Sequence, residues 1–347
     1  MQKVKIGLIC ILTISMCLLG TSRTMVTVSA QGDSWAEGKA ECVVEVSSGR
    51  ILYASNAETA LPMASTTKIA TAITVLEHCD NLQEQIRIPN HAAGVEGSSV
   101  YLQEGDVYSV EDLLYGLMLR SGNDCAVALA LHVGKSIENF STLINQTAEK
   151  AGALRSHFCN PHGLPCDGHY TTALDLSYIT CYALKNPIFQ TIVSTRFYQP
   201  RQWANKNKLL RLYEGANGVK TGYTKQAGRC LVSSATKNGM QLVCTLLNCP
   251  TTYERTIQLF NDAFTAYKMQ QIVTKGEKFS IKIGKKSVDC ATTCSYSYPL
   301  LEEEKHYISV HTNAVLPYID DQGREIIGQF QIYLAKQLLF LGNLYKL

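Results

Sequence analysis

The stretch Pro62-Met63-Ala64-Ser65-Thr66-Thr67-Lys68-Ile69-Ala70-Thr71-Ala72-Ile73 sets a hydroxyl and an amine three residues apart where an apolar helix begins. Positions i and i+3 of a helix share one face, a turn apart, so the Lys68 amine is predicted to reach the Ser65 hydroxyl. A lysine is normally protonated and useless as a base. In a first helical turn, the positive end of the macrodipole and the apolar run behind it both disfavour the ammonium, and a lysine neutralised in this way can take a proton from serine. Ile69, Ala70, Ala72, Ile73 and Leu76 leave almost no polar face, which predicts a helix buried inside a domain, with Ser65 at its mouth beside a cleft. Spacing alone decides little: Ser234-Ala-Thr-Lys237 repeats it in a strand-and-turn setting with no plausible role.

Upstream, residues 40–54 alternate around Ser47-Ser48-Gly49 and read as a β-hairpin leading into the Ser65 helix. Before that, Lys3 and Lys5 precede an apolar run from Ile6 to Leu19 and a polar stretch closing on Val28-Ser29-Ala30. Residues 1–30 therefore read as a secretory signal with a small-residue cleavage site, an uncleaved anchor being the alternative. Lys3, Lys5 and Arg23 are the only charged residues in that segment, so without it the formal charge of +3 cancels. Nothing in the remaining balance argues for nucleic acid or an anionic membrane as partner. Cys10 and Cys17 leave with the signal, and the others of the 13 cysteines are odd in number, so not all can pair. A disulfide-framework fold is not expected at this size, and unpaired cysteines outside the cytoplasm would suit a host living without oxygen.

Downstream, residues 110–120 are helical in period, Ser121-Gly122-Asn123 interrupts them, and residues 124–132 resume the helix. The tripeptide reads as a sharp loop in which Asn123 or Asp124 could simply be an N-cap. His157, Cys159, His162 and Cys166 lie within one short loop with two prolines, unlike the spacing of structural zinc sites, so no metal is expected. A helix follows over 169–182. Gly218-Val219-Lys220-Thr221-Gly222-Tyr223 reads as a strand with Lys220 and Gly222 on one face, where glycine admits another backbone closely, as in strand addition of a peptide ligand. Residues 229–247 form a hairpin around Asn238-Gly239, and residues 254–271 an amphipathic helix. The two hairpins and the Lys-Thr-Gly strand then make one antiparallel sheet flanked by helices, with an all-helical lobe inserted between them: an α/β fold. Residues 31–273 make that domain. Residues 274–347 alternate in short strands and read as a small all-β domain, whose last segment is drawn as a hairpin turning at Ala335-Lys336 in preference to a helix.

Ser65-x-x-Lys68, Ser121-x-Asn123 and Lys220-Thr221-Gly222, in that order, form the motif set of penicillin-binding proteins and class A β-lactamases. With "LRSGNDCAVALA", "NPHGL", "HYTTALD", "NKLL" and "GVKTGYT" around them, residues 40–264 resemble the low-molecular-mass D-alanyl-D-alanine carboxypeptidases. The resemblance implies that Ser65 attacks the carbonyl between two terminal D-alanines and that Lys68 is its base. Ser121 would relay a proton to the leaving amine and Asn123 would bond the substrate amide. Lys220 and Thr221 would meet the terminal carboxylate, with Gly222 beside them and Arg255 reaching the same carboxylate. The N–H groups of Ser65 and Tyr223 would form the oxyanion hole. It implies no cofactor, the stem peptide of bacterial peptidoglycan as substrate, β-lactams as inhibitors, and a place in the cell wall or on the outer face of the cytoplasmic membrane. Relatives often carry an amphipathic helix after the β-domain; the hairpin reading leaves no room for one, so attachment to the membrane is doubtful. The rivals are a β-lactamase, for which the Asn160–Leu164 loop offers no deacylating acid, and a non-catalytic penicillin- or peptidoglycan-sensing protein, which has no need of Ser65, Lys68 and Ser121 together.

Overall fold

Side chains alternate across a strand, and Ala40–Glu45 (β1) is apolar on both sides: Cys42 and Val44 pack into one core cluster and Val43 into another. That pattern belongs to a sheet covered on both faces. In a computed structural model describing residues 37–347, β1 lies inside a five-stranded antiparallel sheet. Its strands are β1, Ile51–Ser55 (β2), Ala216–Thr224 (β3), Gly228–Lys237 (β4) and Met240–Leu247 (β5), in the order β2-β1-β5-β4-β3. The expected signal segment lies outside the described residues.

One face carries the helical lobe. Lys68–His78 (α1) follows a single 3₁₀ turn, Ala64–Thr67, and every α1 residue from Lys68 to Val75 is buried. Around it pack Val110–Tyr115 (α2), Asn123–Gly134 (α3), Ile137–Lys150 (α4), Ala173–Ala183 (α5) and Pro187–Ser194 (α6). Ser109, Ser136, Thr172 and Asn186 cap α2, α4, α5 and α6 with side-chain oxygens, which fixes where each starts. The opposite face is covered by Thr252–Ala266 (α7), through Leu259, Phe260 and Ala263.

The helix expected over 254–271 ends at Ala266. Tyr267 is extended, and Lys268–Val273 (β6) pairs with Tyr296–Leu300 (β9), so strand pairing supplies the backbone partners that helix continuation would have given. Lys278–Ile283 (β7), Lys286–Thr292 (β8), Ile308–Ile319 (β10), Glu325–Leu334 (β11) and Gln337–Lys346 (β12) form a second sheet in the order β7-β8-β12-β11-β10. The final hairpin turns at Ala335, which adopts a left-handed φ of 51°. Arg50, in the β1–β2 turn, ties the first sheet to the β6–β9 pair and the turn after it: its Nη1 and Nη2 bond both Glu304 oxygens and Nη1 the Pro299 carbonyl, and the guanidinium lies about 5 Å over Tyr267 and Tyr298.

Arg255 does not join the other expected site residues. It extends from α7 to β1, where its Nε and Nη2 bond Glu41, at 3.1 and 2.6 Å, and Nη2 also bonds the Tyr53 hydroxyl at 2.8 Å. A buried carboxylate needs a buried cation, and Glu41 is fully enclosed. The pair lies on β1, with β5 and β4 between it and the Lys-Thr-Gly strand. Arg255→Lys keeps the charge but loses the planar fork; it is expected to cost about 1–3 kcal/mol in a urea melt and to leave kcat unchanged.

Candidate active site

Ser65 stands in the 3₁₀ turn and Lys68 opens α1, so the amine points back over the turn preceding it, as helical side chains do. Lys68 Nζ is 3.1 Å from Ser65 Oγ, 2.6 Å from Asn123 Oδ1 and 2.8 Å from the His162 carbonyl. Burial, and next the charge of Lys220, push Lys68 well below the ordinary lysine range. A neutral amine has two N–H groups and one lone pair. The two carbonyl oxygens can only accept, so they take both hydrogens and leave the lone pair for the Ser65 O–H. Asn123 cannot be turned the other way, since its Nδ2 donates to the Glu96 carbonyl at 2.5 Å. The arrangement is that of a general base aimed at a nucleophile.

Ser121 ends the π turn Gly116–Arg120 with a left-handed φ of 65° and is buried. Neither Asn123 nor Asp124 caps α3, whose N-cap is Gly122. The capping alternative therefore fails, and both side chains have other partners. Asp124 accepts from Ser99 Oγ and from the N–H groups of Val100 and Leu102, at 2.5, 3.0 and 3.1 Å, while Asn123 N–H donates to the Ser98 carbonyl. The 96–102 segment is thus folded around the Asn123-Asp124 pair.

Lys220 is 2 % exposed and donates to the Thr221 carbonyl at 2.9 Å. Burial, then the charge of Lys206, holds it down at about 7. Lys206 Nζ in turn lies 3.5 Å from Ser98 Oγ. Gly222 admits a backbone closely, as expected, but the backbone is the chain's own: a Cβ there would stand 3.0 Å from Met63 O, 3.1 Å from Thr66 N and 3.2 Å from Ser65 N. The edge strand β3 thereby lies directly against the nucleophile turn, bringing Tyr223 N and Ser65 N into one neighbourhood, with the Tyr223 side chain exposed.

The loop from His157 to Tyr170 approaches Lys68 from the other side, through the His162 carbonyl. Among the described residues no cluster of metal-binding side chains is found. Instead Pro161 O accepts from Thr71, and Asn160 Oδ1 gathers the N–H groups of His162 and Gly163 so that the His162 carbonyl faces Lys68. Cys159 N–H donates to His169 Nδ1, which leaves His169 Nε2 as the donor to Thr67 Oγ1 at 2.9 Å. Burial, then Lys68 and His169, depresses His162 to about 3; burial, then His157, depresses His169 to about 4. Both values lie below that of an unfolded histidine, so the unfolded chain takes up protons first. Stability is full above pH ~6.5 and is lost as the pH falls towards ~4. Urea melts across that window are expected to show the loss, with a shallower slope in His169→Gln.

The pattern that defines the D-alanyl-D-alanine carboxypeptidase family matches residues 26–251. The D-alanyl-D-alanine carboxypeptidase DacF of Bacillus subtilis is 32% identical over 274 residues, covering 74% of this chain and 70% of that protein. The D-alanyl-D-alanine carboxypeptidase of Streptomyces sp. K15 is 35% identical over 222 residues, covering 57% of this chain and 76% of that one. Among solved structures, the Streptomyces K15 DD-transpeptidase aligns with TM-score 0.64 at 32% identity, over 68% of this chain and all of that one. Penicillin binding protein 5 of Haemophilus influenzae aligns with TM-score 0.76 at 24% identity, over 92% of this chain and 98% of its own, and shares the fold. With a serine and a buried lysine meeting where that family's pattern runs, the chain belongs to the D-alanyl-D-alanine carboxypeptidase family of serine peptidases.

Proposed function

We propose that this serine-type D-Ala-D-Ala carboxypeptidase acts through Ser65 as nucleophile and Lys68 as base. The observation that carries the assignment is the buried Lys68 Nζ 3.1 Å from Ser65 Oγ, its other two partners being carbonyl oxygens that can only accept, so that in the neutral amine the lone pair faces Ser65. Ser65 Oγ attacks the carbonyl between the two D-alanines, and its proton passes to Lys68. The oxyanion is held by the N–H groups of Ser65 and Tyr223, an interaction commonly worth a few kcal/mol in the transition state. The proton returns to the leaving D-alanine amine through Ser121, and water then hydrolyses the acyl-enzyme. Lys220 and Thr221, with Lys206 adding positive charge behind them, receive the terminal carboxylate; a bound carboxylate raises Lys220 from about 7 and keeps it charged. The substrate is the pentapeptide stem of peptidoglycan, and β-lactams acylate Ser65. Residues 31–273 carry this chemistry outside the cytoplasm after the 1–30 signal is removed, and residues 274–347 form an accessory β-domain. Among the described residues no helix is long and apolar enough to cross a membrane.

A β-lactamase of class A would need a carboxylate to activate the deacylating water. The loop facing Lys68 offers a backbone carbonyl instead. Incubation with diacetyl-Lys-D-Ala-D-Ala and with labelled penicillin tests the assignment: D-alanine release and a long-lived adduct, both lost in Ser65→Ala, are expected. Rapid penicillin turnover would favour the lactamase, and an adduct without D-alanine release the sensor.

A further inference from the structure

The loop that supplies the His162 carbonyl to Lys68 carries two cysteines that the acyl-transfer chemistry does not use. Cys159 and Cys166 bracket residues 160–165, and their thiols converge on one backbone oxygen. Both donate to that acceptor, the Asp167 carbonyl, at 3.1 and 3.6 Å. Cys166 is the one exposed cysteine among the described residues and Cys159 is half-buried, as are Cys79 and Cys294, while Cys42, Cys125, Cys181, Cys230, Cys244, Cys249 and Cys290 are buried, so a reagent in solution reaches Cys166 first. The bracketed segment is the one whose Pro161 and His162 carbonyls take Thr71 and Lys68, and Cys159 N–H is tied through His169 to Thr67, two residues from the nucleophile.

We propose that Cys159 and Cys166 form a reversible disulfide that closes residues 160–165 over the catalytic lysine, exchanging with an exported disulfide-bearing donor. Cys166 is the entry point, because burial and the neighbouring thiol hold Cys159 up at about 11. The Cys166 thiolate attacks one sulfur of the donor disulfide; that bond breaks, a mixed disulfide forms and one donor thiolate leaves. Cys159, as its thiolate, then attacks Cys166 Sγ and expels the second donor thiolate. Two electrons pass to the donor, and the two protons lost from the cysteines end on its sulfurs. Excess donor thiol reverses both steps. In the dithiol state thiol hydrogen bonds to the Asp167 carbonyl hold the bracket; in the disulfide state a covalent bond does, and the His162 carbonyl that meets Lys68 is fixed more tightly.

The effect on acylation rests on the functional reading above, but the bond itself is read independently. The mature full chain is equilibrated with glutathione buffers from reducing to oxidising, quenched with N-ethylmaleimide, digested and mapped by mass, with the labelled-penicillin acylation rate measured on the same samples. The expected result is joint protection of Cys159 and Cys166 as one cross-linked peptide under oxidising buffers, with acylation several-fold faster than in the reduced state. Cys166→Ser, a change at an exposed position, should acylate at the reduced rate in every buffer. Equal alkylation of both thiols across the series, capture of glutathione on Cys166 alone, or a cross-link to another cysteine overturns the proposal. So does a Cys159–Cys166 bond that leaves the wild-type acylation rate equal to that of Cys166→Ser. If Ser65 proves not to acylate at all, the mass map still decides whether the bond forms.

Discussion

Lys68→Met is expected to lower Ser65 acylation by about 10²–10⁴-fold while leaving the melting temperature close to wild type. The substitution keeps an unbranched chain of similar length in a fully buried position and removes only the amine. What is lost is the lone pair 3.1 Å from Ser65 Oγ. Two acceptors, Asn123 Oδ1 and the His162 carbonyl, lose a donor, which offsets the gain from no longer burying an amine, so stability moves little. Lys68→Arg should be as inactive for another reason, since a guanidinium stays protonated and has no lone pair to offer. Stopped-flow acylation by a fluorescent penicillin, with circular dichroism to verify the fold, measures both. Acylation by Lys68→Met within tenfold of wild type would place the base elsewhere and undo the reading of the site.

The parts of this site legible in the sequence are those carried by local spacing. Ser65 and Lys68 sit one turn apart at the start of a helix so apolar that it had to be buried, and burial is the leading cause that pushes the lysine below its ordinary range. The two hairpins and the edge strand followed from alternation and turn residues, down to the final hairpin at Ala335. The His162 carbonyl left no trace, because backbone oxygens carry no residue signature; only the loop's glycine and asparagine hint at a shaped turn. Asp124 could be read from sequence only as a possible cap, since the 99–102 segment it holds is remote in sequence. Arg255 shows the converse error: a resemblance in position suggested a substrate contact, and the buried charge of Glu41, invisible without the strand pairing, claimed it instead. The end of the 254–271 helix was missed for the same reason, its last residues being drawn into a strand pair with residues 296–300.

Gly163→Ala is expected to be the most damaging single methyl addition near the site. Gly163 has a φ of +89°, where a side chain is strained, and a Cβ there would stand 1.9 Å from the Ala64 carbonyl oxygen and 2.4 Å from its carbon. Those atoms are backbone of the nucleophile turn and cannot swing away as a side-chain tip could. Either the loop backs off, carrying the His162 carbonyl from Lys68 and freeing one of its two hydrogens, or the turn shifts and takes Ser65 with it. In the first case Lys68 is also less enclosed and its value rises towards the ordinary lysine range. The acid limb of the pH–rate profile for acylation then moves to higher pH, because a smaller fraction of the lysine is neutral at a given pH. The expected loss is about 3 kcal/mol or more of stability, in the range of overpacking plus backbone strain, together with a drop in kcat/KM of at least about tenfold. Urea melts and a pH–rate profile measured on the same preparation separate the two effects. A variant with wild-type stability and an unmoved acid limb would show that this loop neither packs on the turn nor governs the lysine.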